Sequence, residues 1–232
     1  MTLGDIMYKY ETHLHTFPVS RCAVADVEDS LRCYKNLGYD GVFITNHFID
    51  ANINIDSEAP YEEKINFYFS DYEKALNLSE EIGIKVFCGQ EIADNWNHFL
   101  IYGLDKEWYL SHPEIEKMNK MDELKLMMDS GALIVQAHPF RTDSRIDTFN
   151  LFYKSVHGIE IINASWSERV NTMARLYAEH YGFLLFAGSD NHSGSKRKRF
   201  AGVCTPKPVE SVSDFIEMVK NRESEVFEFE VE

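Results

Sequence analysis

Phe183-Leu-Leu-Phe-Ala-Gly-Ser-Asp-Asn-His192 is an apolar run that ends in an acid and an imidazole. A helical pattern, Glu168–Tyr181, stands ahead of it and closes on Gly182. A glycine in that place supplies the left-handed residue that ends a helix, and the Phe and Leu run that follows reads as a strand. The same unit recurs along the chain. Helix Val27–Leu37 and Gly38 lead into Gly41–Thr45 and then Asn46-His47. Helix Tyr61–Glu81 and Gly83 lead into Lys85–Glu91. Helix Met121–Asp129 and Gly131 lead into Ala132–Ala137 and then His138. With Met7–Glu11, Phe99–Gly103, Gly158–Asn163 and Phe183–Gly188, the pattern predicts seven strands, and Val212–Asn221 adds a helix. Strands alternating with helices imply an α/β fold with a parallel sheet. A closed or nearly closed barrel fits seven such units, and so does a doubly wound open sheet.

Local signals support these elements. Ser165 with Glu168, and Ser211 with Asp214, have the spacing of a capping box. Helix Tyr61–Glu81 places Ile65, Tyr68, Phe69, Tyr72 and Leu76 on one face, which predicts core packing. Phe48–Pro60 has few apolar anchors and reads as a loop that lies over the site as a lid. Val226–Val231 alternates apolar and acidic residues and reads as an edge strand.

The 232 residues suffice for one α/β domain, 1–232, and no linker or repeat divides them. Apolar residues make up 44% and charged residues 26%, an ordinary globular composition. Met1–Tyr10 lacks the basic and apolar regions of a leader, and no run spans a bilayer, so a cytoplasmic, membrane-free protein is expected. Cys22, Cys33, Cys88 and Cys204 are far apart and are read as free thiols. A net charge of −15 repels nucleic acid and anionic membranes. An anionic substrate then needs a local positive centre.

Histidines and carboxylates gather where the strands end. His13 and His15 close the first strand two residues apart, so in an extended chain both imidazoles face one way. His47, Glu91, His138, and Asp190 with His192 follow four other strands. His98 stands ahead of the fourth strand instead. A single histidine at a strand end is ordinarily structural. Five strand ends that each deliver His, Asp or Glu to one barrel rim would be costly to desolvate, and cations resolve that cost. His112, in a polar loop, His157, at the far end of a strand, and His180, in a last helical turn, are read as structural.

The ordered set HLHT at 13–16, TNH at 45–47, Glu91, His98, AHP at 137–139 and GSDNH at 188–192 resembles the PHP (polymerase and histidinol phosphatase) family. The resemblance runs from His13 to His192. It implies a distorted (β/α)7 TIM-like barrel with two or three divalent metal ions. His13, His15, Glu91 and Asp190 then resemble the ligands of one ion. Glu91, His98 and His138 resemble those of a second, with Glu91 bridging. His47 and His192 resemble two of three ligands of a third. Where the family places the remaining ligand, this chain reads Pro18-Val-Ser-Arg-Cys22, and Arg21 cannot coordinate a cation. Two tightly held ions and a weak or phosphate-dependent third are therefore expected, the competing reading being that Cys22 or a carboxylate such as Glu11 completes the third site.

Imidazole and carboxylate ligands suit zinc, manganese or iron. A hydroxide held by the metals would attack a phosphate ester of a small metabolite or nucleotide, with Asp190 and His192 orienting the water or protonating the leaving group. Arg141, and Arg197 and Arg199 within the run Lys196–Arg199, are the expected substrate-binding residues. Glu160 ends the sixth strand on the same rim and is read as either an orienting or a structural residue. An amidohydrolase acting on C–N or C–O bonds, and a non-catalytic metal-binding domain, are the competing readings. The first commonly adds a lysine at a strand end, and no strand here ends in one.

Overall fold

A computed structural model describes residues 7–232. The first six residues, part of the leader reading, lie outside the described residues. Among the described residues the strands form one nine-stranded sheet in the order β7-β6-β5-β4-β3-β2-β1-β8-β9. They are β1 Tyr8–Leu14, β2 Gly41–Ile44, β3 Lys85–Asp94, β4 Asn97–Tyr102, β5 Leu133–Ala137, β6 Gly158–Asn163, β7 Leu184–Gly188, β8 Arg199–Thr205 and β9 Glu225–Glu230. The helices are α1 Val27–Asn36, α2 Tyr61–Ile82, α3 Lys106–Ser111, α4 Lys120–Asp129, α5 Glu168–Tyr181 and α6 Val212–Lys220.

The sheet curls into a nearly closed barrel. Its seam lies between β7 and β1, where Leu14 and Asn191 form an isolated parallel bridge. His15 N donates to Asn191 O at 3.0 Å and Asn191 N to His13 O at 3.3 Å. Below them Thr12 Oγ1 donates to Ala187 O at 2.7 Å, and Glu11 Oε1 accepts from Ser189 N at 2.9 Å. Gly188 permits this approach, because a Cβ there would fall 2.4 Å from the Cβ of His13.

The short helix α3 is absent from the sequence reading, and the sheet departs from it in two strands. The sheet is not wholly parallel: β4 pairs antiparallel with both β3 and β5. β8 is an additional strand, antiparallel to β1 and β9. It begins at the last residue of the basic run Lys196–Arg199, whose polarity hides the strand. The alternating tail is an edge strand, as read. Ser211 and Asp214 form a reciprocal capping box at α6. α5 instead starts at Ser167 without a side-chain cap. Ser165 turns its hydroxyl to the carbonyls of Ser189 and Asp190. On α2, Ile65, Tyr68 and Phe69 are buried while Leu76 is 44% exposed. Phe48–Pro60 is a loop, tied down by Phe48 in the core and by a bridge between Ile53 and Ser20.

The strand period places the site. Phe87 packs in the barrel interior, and Gly89 and Glu91 follow it at intervals of two. Tyr102 and Leu100 likewise lead to His98, Leu133 and Val135 to Ala137, and Phe186 to Gly188. Phe215 of α6 plugs the bottom of the interior against Tyr10, Phe43, Tyr102 and Phe186. In β1 the parity reverses: Tyr10 joins the interior and Leu14 the outer layer under α1. A bulge between Glu11 and Leu14 makes that switch, which turns His13 and His15 inward.

Candidate metal centre

All eight residues expected as ligands meet at the open end of the barrel. They form four overlapping groups whose ligand atoms lie within 4.8 Å of one another: His13, His15 and Asp190; His13, Glu91 and His138; His47, Glu91 and His98; and His15, His47 and His192. Glu91 is central. Its Oε1 lies 2.7 Å from His98 Nδ1, 3.2 Å from His13 Nε2 and 3.3 Å from His138 Nε2. Its Oε2 lies 2.7 Å from His47 Nδ1 and 3.5 Å from His15 Nε2. Asp190 Oδ1 faces the nitrogens of His13, His15 and His192 at 3.4–3.6 Å.

The antiparallel direction of β4 accounts for His98. A strand running against its neighbours begins where they end, so a residue ahead of the apolar run reaches the same rim. Two ligand candidates also hold unusual backbone: His138 has φ 30° and Asp190 φ 51°. Non-glycine residues adopt such angles only when their surroundings enforce them, often at functional sites.

Beneath the rim, other side chains orient the imidazoles. Glu160 Oε1 lies 2.8 Å from His13 Nδ1, and its Oε2 accepts from His138 N and from Asn163 Nδ2, both at 2.9 Å. Asn163 Nδ2 also reaches Asp190 Oδ2 at 3.2 Å. Ser20 Oγ lies 3.1 Å from His15 Nδ1 and accepts from His47 N at 3.0 Å. Asn46 clamps the turn after His15, accepting from Thr16 N at 2.6 Å and from Ser20 Oγ at 2.8 Å. The sequence reading singled out Glu160 but neither Asn163 nor Ser20. A polar residue that acts through another leaves no mark in strand or helix periodicity.

Burial opposes every charge here, and the neighbours decide the outcome. Despite desolvation, His98, His47 and His13 hold the Glu91 carboxyl well below its usual range. Burial also raises Asp190, but His13, His192 and His138 bring it down to about 2. His47 would be depressed by burial, yet Glu91 and Cys22 lift it to about 10. His15, buried among other imidazoles, is pushed well below its ordinary value. Burial raises the Cys22 thiol, but hydrogen bonds with His192 and His47 prevail and lower it to about 6.

The donor set fits divalent cations. Glu91 Oε2 and His47 Nδ1 are both buried, lie 2.7 Å apart, and yet make no aligned hydrogen bond. Two ligand atoms that share a space without sharing a proton leave a place for a cation. Mixed nitrogen and oxygen ligands of this kind suit zinc, manganese or iron.

A cleft of about 580 Å³ opens over the centre, lined by Cys22, Asp50, Asn52, Trp96, Arg141 and Arg145 besides the ligands. Arg141 Nη2 donates to Trp96 O at 2.8 Å and lies 3.2 Å from His98 Nε2, while its Nε is buried without a partner. Arg145 lies 4.3 Å from the Trp96 ring centroid. The other two arginines are placed differently. Arg197 donates to Ser165 Oγ at 3.0 Å, beside the Asp190 backbone. Arg199 is not brought to the cleft: it grips Glu228 and donates to Trp166 O at 2.8 Å, which ties β8 to β9. His112 stacks on Trp108, His157 Nδ1 accepts from Ile134 N, and His180 is exposed, all away from the centre.

The architecture has known counterparts. A two-domain protein from Bacteroides vulgatus, containing a predicted PHP-like metal-dependent phosphoesterase, superposes with a TM-score of 0.70 over 96% of this chain at 16% identity. The chain has the PHP-like fold. It spans 65% of the length of that two-domain protein. A candidate metal-dependent phosphoesterase from Bifidobacterium adolescentis shares the fold at TM-score 0.55 and 13% identity, over 92% of this chain and 96% of its own. An amidohydrolase from Chromobacterium violaceum does so at TM-score 0.54 and 13% identity, over 90% and 96%. No family's sequence profile matches the chain. No curated protein matches it by sequence. On the PHP-like fold, the centre sits at the rim where barrel folds carry their active sites.

Proposed function

We propose that this protein is a metal-dependent phosphoesterase acting on a phosphate ester of a small metabolite or nucleotide. The observation that carries the reading is the placement of Glu91 among five imidazoles, with Arg141 at the edge of the same cleft. His13, His15, Glu91 and Asp190 would hold one cation, Glu91, His98 and His138 a second, and His47 and His192 a third. Zinc, manganese or iron held there supplies Lewis acidity and water activation at neutral pH. Glu160 holds His13 so that its Nε2 points to the centre. Arg141 binds the anionic group: it lines the cleft beside His98, and a guanidinium fork suits phosphate oxygens. Asp190, ionised and at the cleft floor, would orient the attacking water, and His192 beside it would assist protonation of the leaving oxygen. The cleft admits a small ester, and the acidic surface disfavours an extended nucleic acid. No helix among the described residues is long and apolar enough to cross a membrane.

The amidohydrolase reading finds less support, since no lysine lines the cleft among the described residues. Phosphate release from a metabolite panel, by protein loaded separately with manganese, zinc and iron, tests the proposal. Turnover of phosphate esters with at least one metal is expected. Silence with all of them, alongside hydrolysis of amides or lactones, would transfer the assignment.

A further inference from the structure

We propose that Cys22 is a thiolate ligand of the outermost cation, completing with His47 and His192 a site that borders His15. The assignment rests on the metal reading above and names a ligand that the PHP pattern does not supply here. Arg21 occupies the expected ligand position but is exposed, and its backbone N–H donates to Asn52 O at 3.0 Å. The turn goes one residue further. Ser20 N donates to Thr16 O at 2.9 Å and Ala23 N to Ser20 O at 3.0 Å, which folds the segment back over the centre. Val24 N then donates to His192 O at 2.8 Å. The chain between those bonds presents Cys22 Sγ at 3.2 Å from His47 Nε2, on the cleft wall that His192 also lines.

Several further observations point to a ligand rather than a bystander thiol. His15, His47 and His192 bring three ligand nitrogens within 4.8 Å of one another, and their rings pack at 4.1–5.7 Å between centroids. Three imidazoles in contact repel when charged, and the carboxylates beside them, Glu91 and Asp190, are the ones read as ligands of the inner ions. His47 turns its two ring nitrogens to different neighbours, Nδ1 to Glu91 Oε2 at 2.7 Å and Nε2 to Cys22 Sγ at 3.2 Å, so the outer cation would take Nε2. Neutral imidazoles leave a dication's full charge in place, and a thiolate offsets part of it. Binding replaces the S–H proton with the metal and releases that proton to the open cleft. A sulfur ligand favours zinc or iron over manganese or magnesium, and makes the outer site sensitive to oxidants. Cys22 is also the exposed cysteine, while Cys33, Cys88 and Cys204 are buried.

Cobalt(II) substitution tests this. Metal-stripped protein titrated with cobalt should develop visible ligand-field bands and a near-ultraviolet sulfur-to-cobalt charge-transfer band. Cys22→Ser should lose the near-ultraviolet band and part of the bound cobalt, and keep the visible bands of the inner ions. Alkylation of the wild-type thiol at Cys22, located by peptide mass, should be fast without metal and suppressed by zinc. Cobalt bound without a sulfur band, a band that survives Cys22→Ser, or alkylation indifferent to zinc would overturn the assignment and leave the inner centre standing. Failure of the wild type to bind cobalt at all would overturn the metal reading with it.

Discussion

Glu160 holds the Nδ1 edge of His13 at 2.8 Å while its other oxygen accepts the backbone N–H of His138 at 2.9 Å. One buried carboxylate thus orients imidazoles from two strands. A carboxylate accepts and does not donate, so the proton sits on Nδ1, and Nε2 turns its lone pair toward Glu91 and Asp190. Glu160→Ala should lower metal affinity by roughly 10–100-fold, the usual effect of losing an orienting partner. Competition against a chelator of known affinity reads this directly. Unchanged affinity would reduce Glu160 to a packing residue.

Glu91 should be less dispensable. It offers one oxygen to His13, His98 and His138 and the other to His47 and His15. Glu91→Gln should lower metal affinity by more than the roughly 10–100-fold expected for an orienting residue. His157→Ala and His180→Ala should leave metal content and activity unchanged, since neither imidazole reaches the centre. Equal losses in all three variants, by elemental analysis and turnover, would sink this map of the site.

Much of this arrangement was legible in the sequence because strand ends and period-two alternation are written locally. Four helix–glycine–strand units predicted the frame, and the two-residue spacing of His13 and His15 predicted that both imidazoles face one way. The direction of β4 was not legible. A hairpin at Asp94–Asn97 reverses the chain, and antiparallel and parallel strands have the same apolar composition. β8 was hidden because it follows directly on a basic run and opens on Arg199, whose charge is matched across space by Glu228 rather than nearby in sequence. The bulge that turns His13 and His15 inward is likewise a product of pairing. The contact of Cys22 with His47 depends on a turn in which Ser20 is held by Asn46, a residue from another strand end.

Arg141 should act on substrate and not on metal. Its guanidinium sits 3.2 Å from His98 Nε2, at the edge of the cleft, with one buried N–H unpaired. Arg141→Ala should cost about 1.5–3 kcal/mol of charged hydrogen bonding, a roughly 10- to 150-fold fall in kcat/KM. Metal content should hold. Arg199→Ala, whose partner is Glu228, should leave kinetics unchanged on the same substrate. A loss of metal from Arg141→Ala, or kinetics equal to wild type, would remove it from substrate binding.

The wall of the cleft opposite Arg141 depends on a buried charge cluster outside the metal centre. Lys120 on α4 meets Asp50 of the Phe48–Pro60 loop and, at 2.6 Å, Glu123. Asp50 Oδ1 also accepts from Ala93 N at 3.1 Å, so the loop is pinned to β3 as well as to α4. Lys120→Met would leave two carboxylates facing each other without a cation. The expected loss of stability is about 3 kcal/mol, at the low end for a broken buried pair because Asp50 is 27% exposed. Denaturant unfolding measures it, and adding Glu123→Gln to Lys120→Met should recover part. The pH dependence has a fixed sign. Burial, reinforced by Asp50 and opposed by Lys120, pushes Glu123 up to about 7 from its ordinary 4.5. Between those values the folded protein binds more protons than the unfolded chain, so this group's contribution to stability declines as pH rises from about 4.5 through about 7. Glu123→Gln should flatten that decline. A slope identical in wild type and Glu123→Gln would show that the cluster titrates elsewhere. Intact stability in Lys120→Met would show that the loop is held by Phe48 and Ile53 alone.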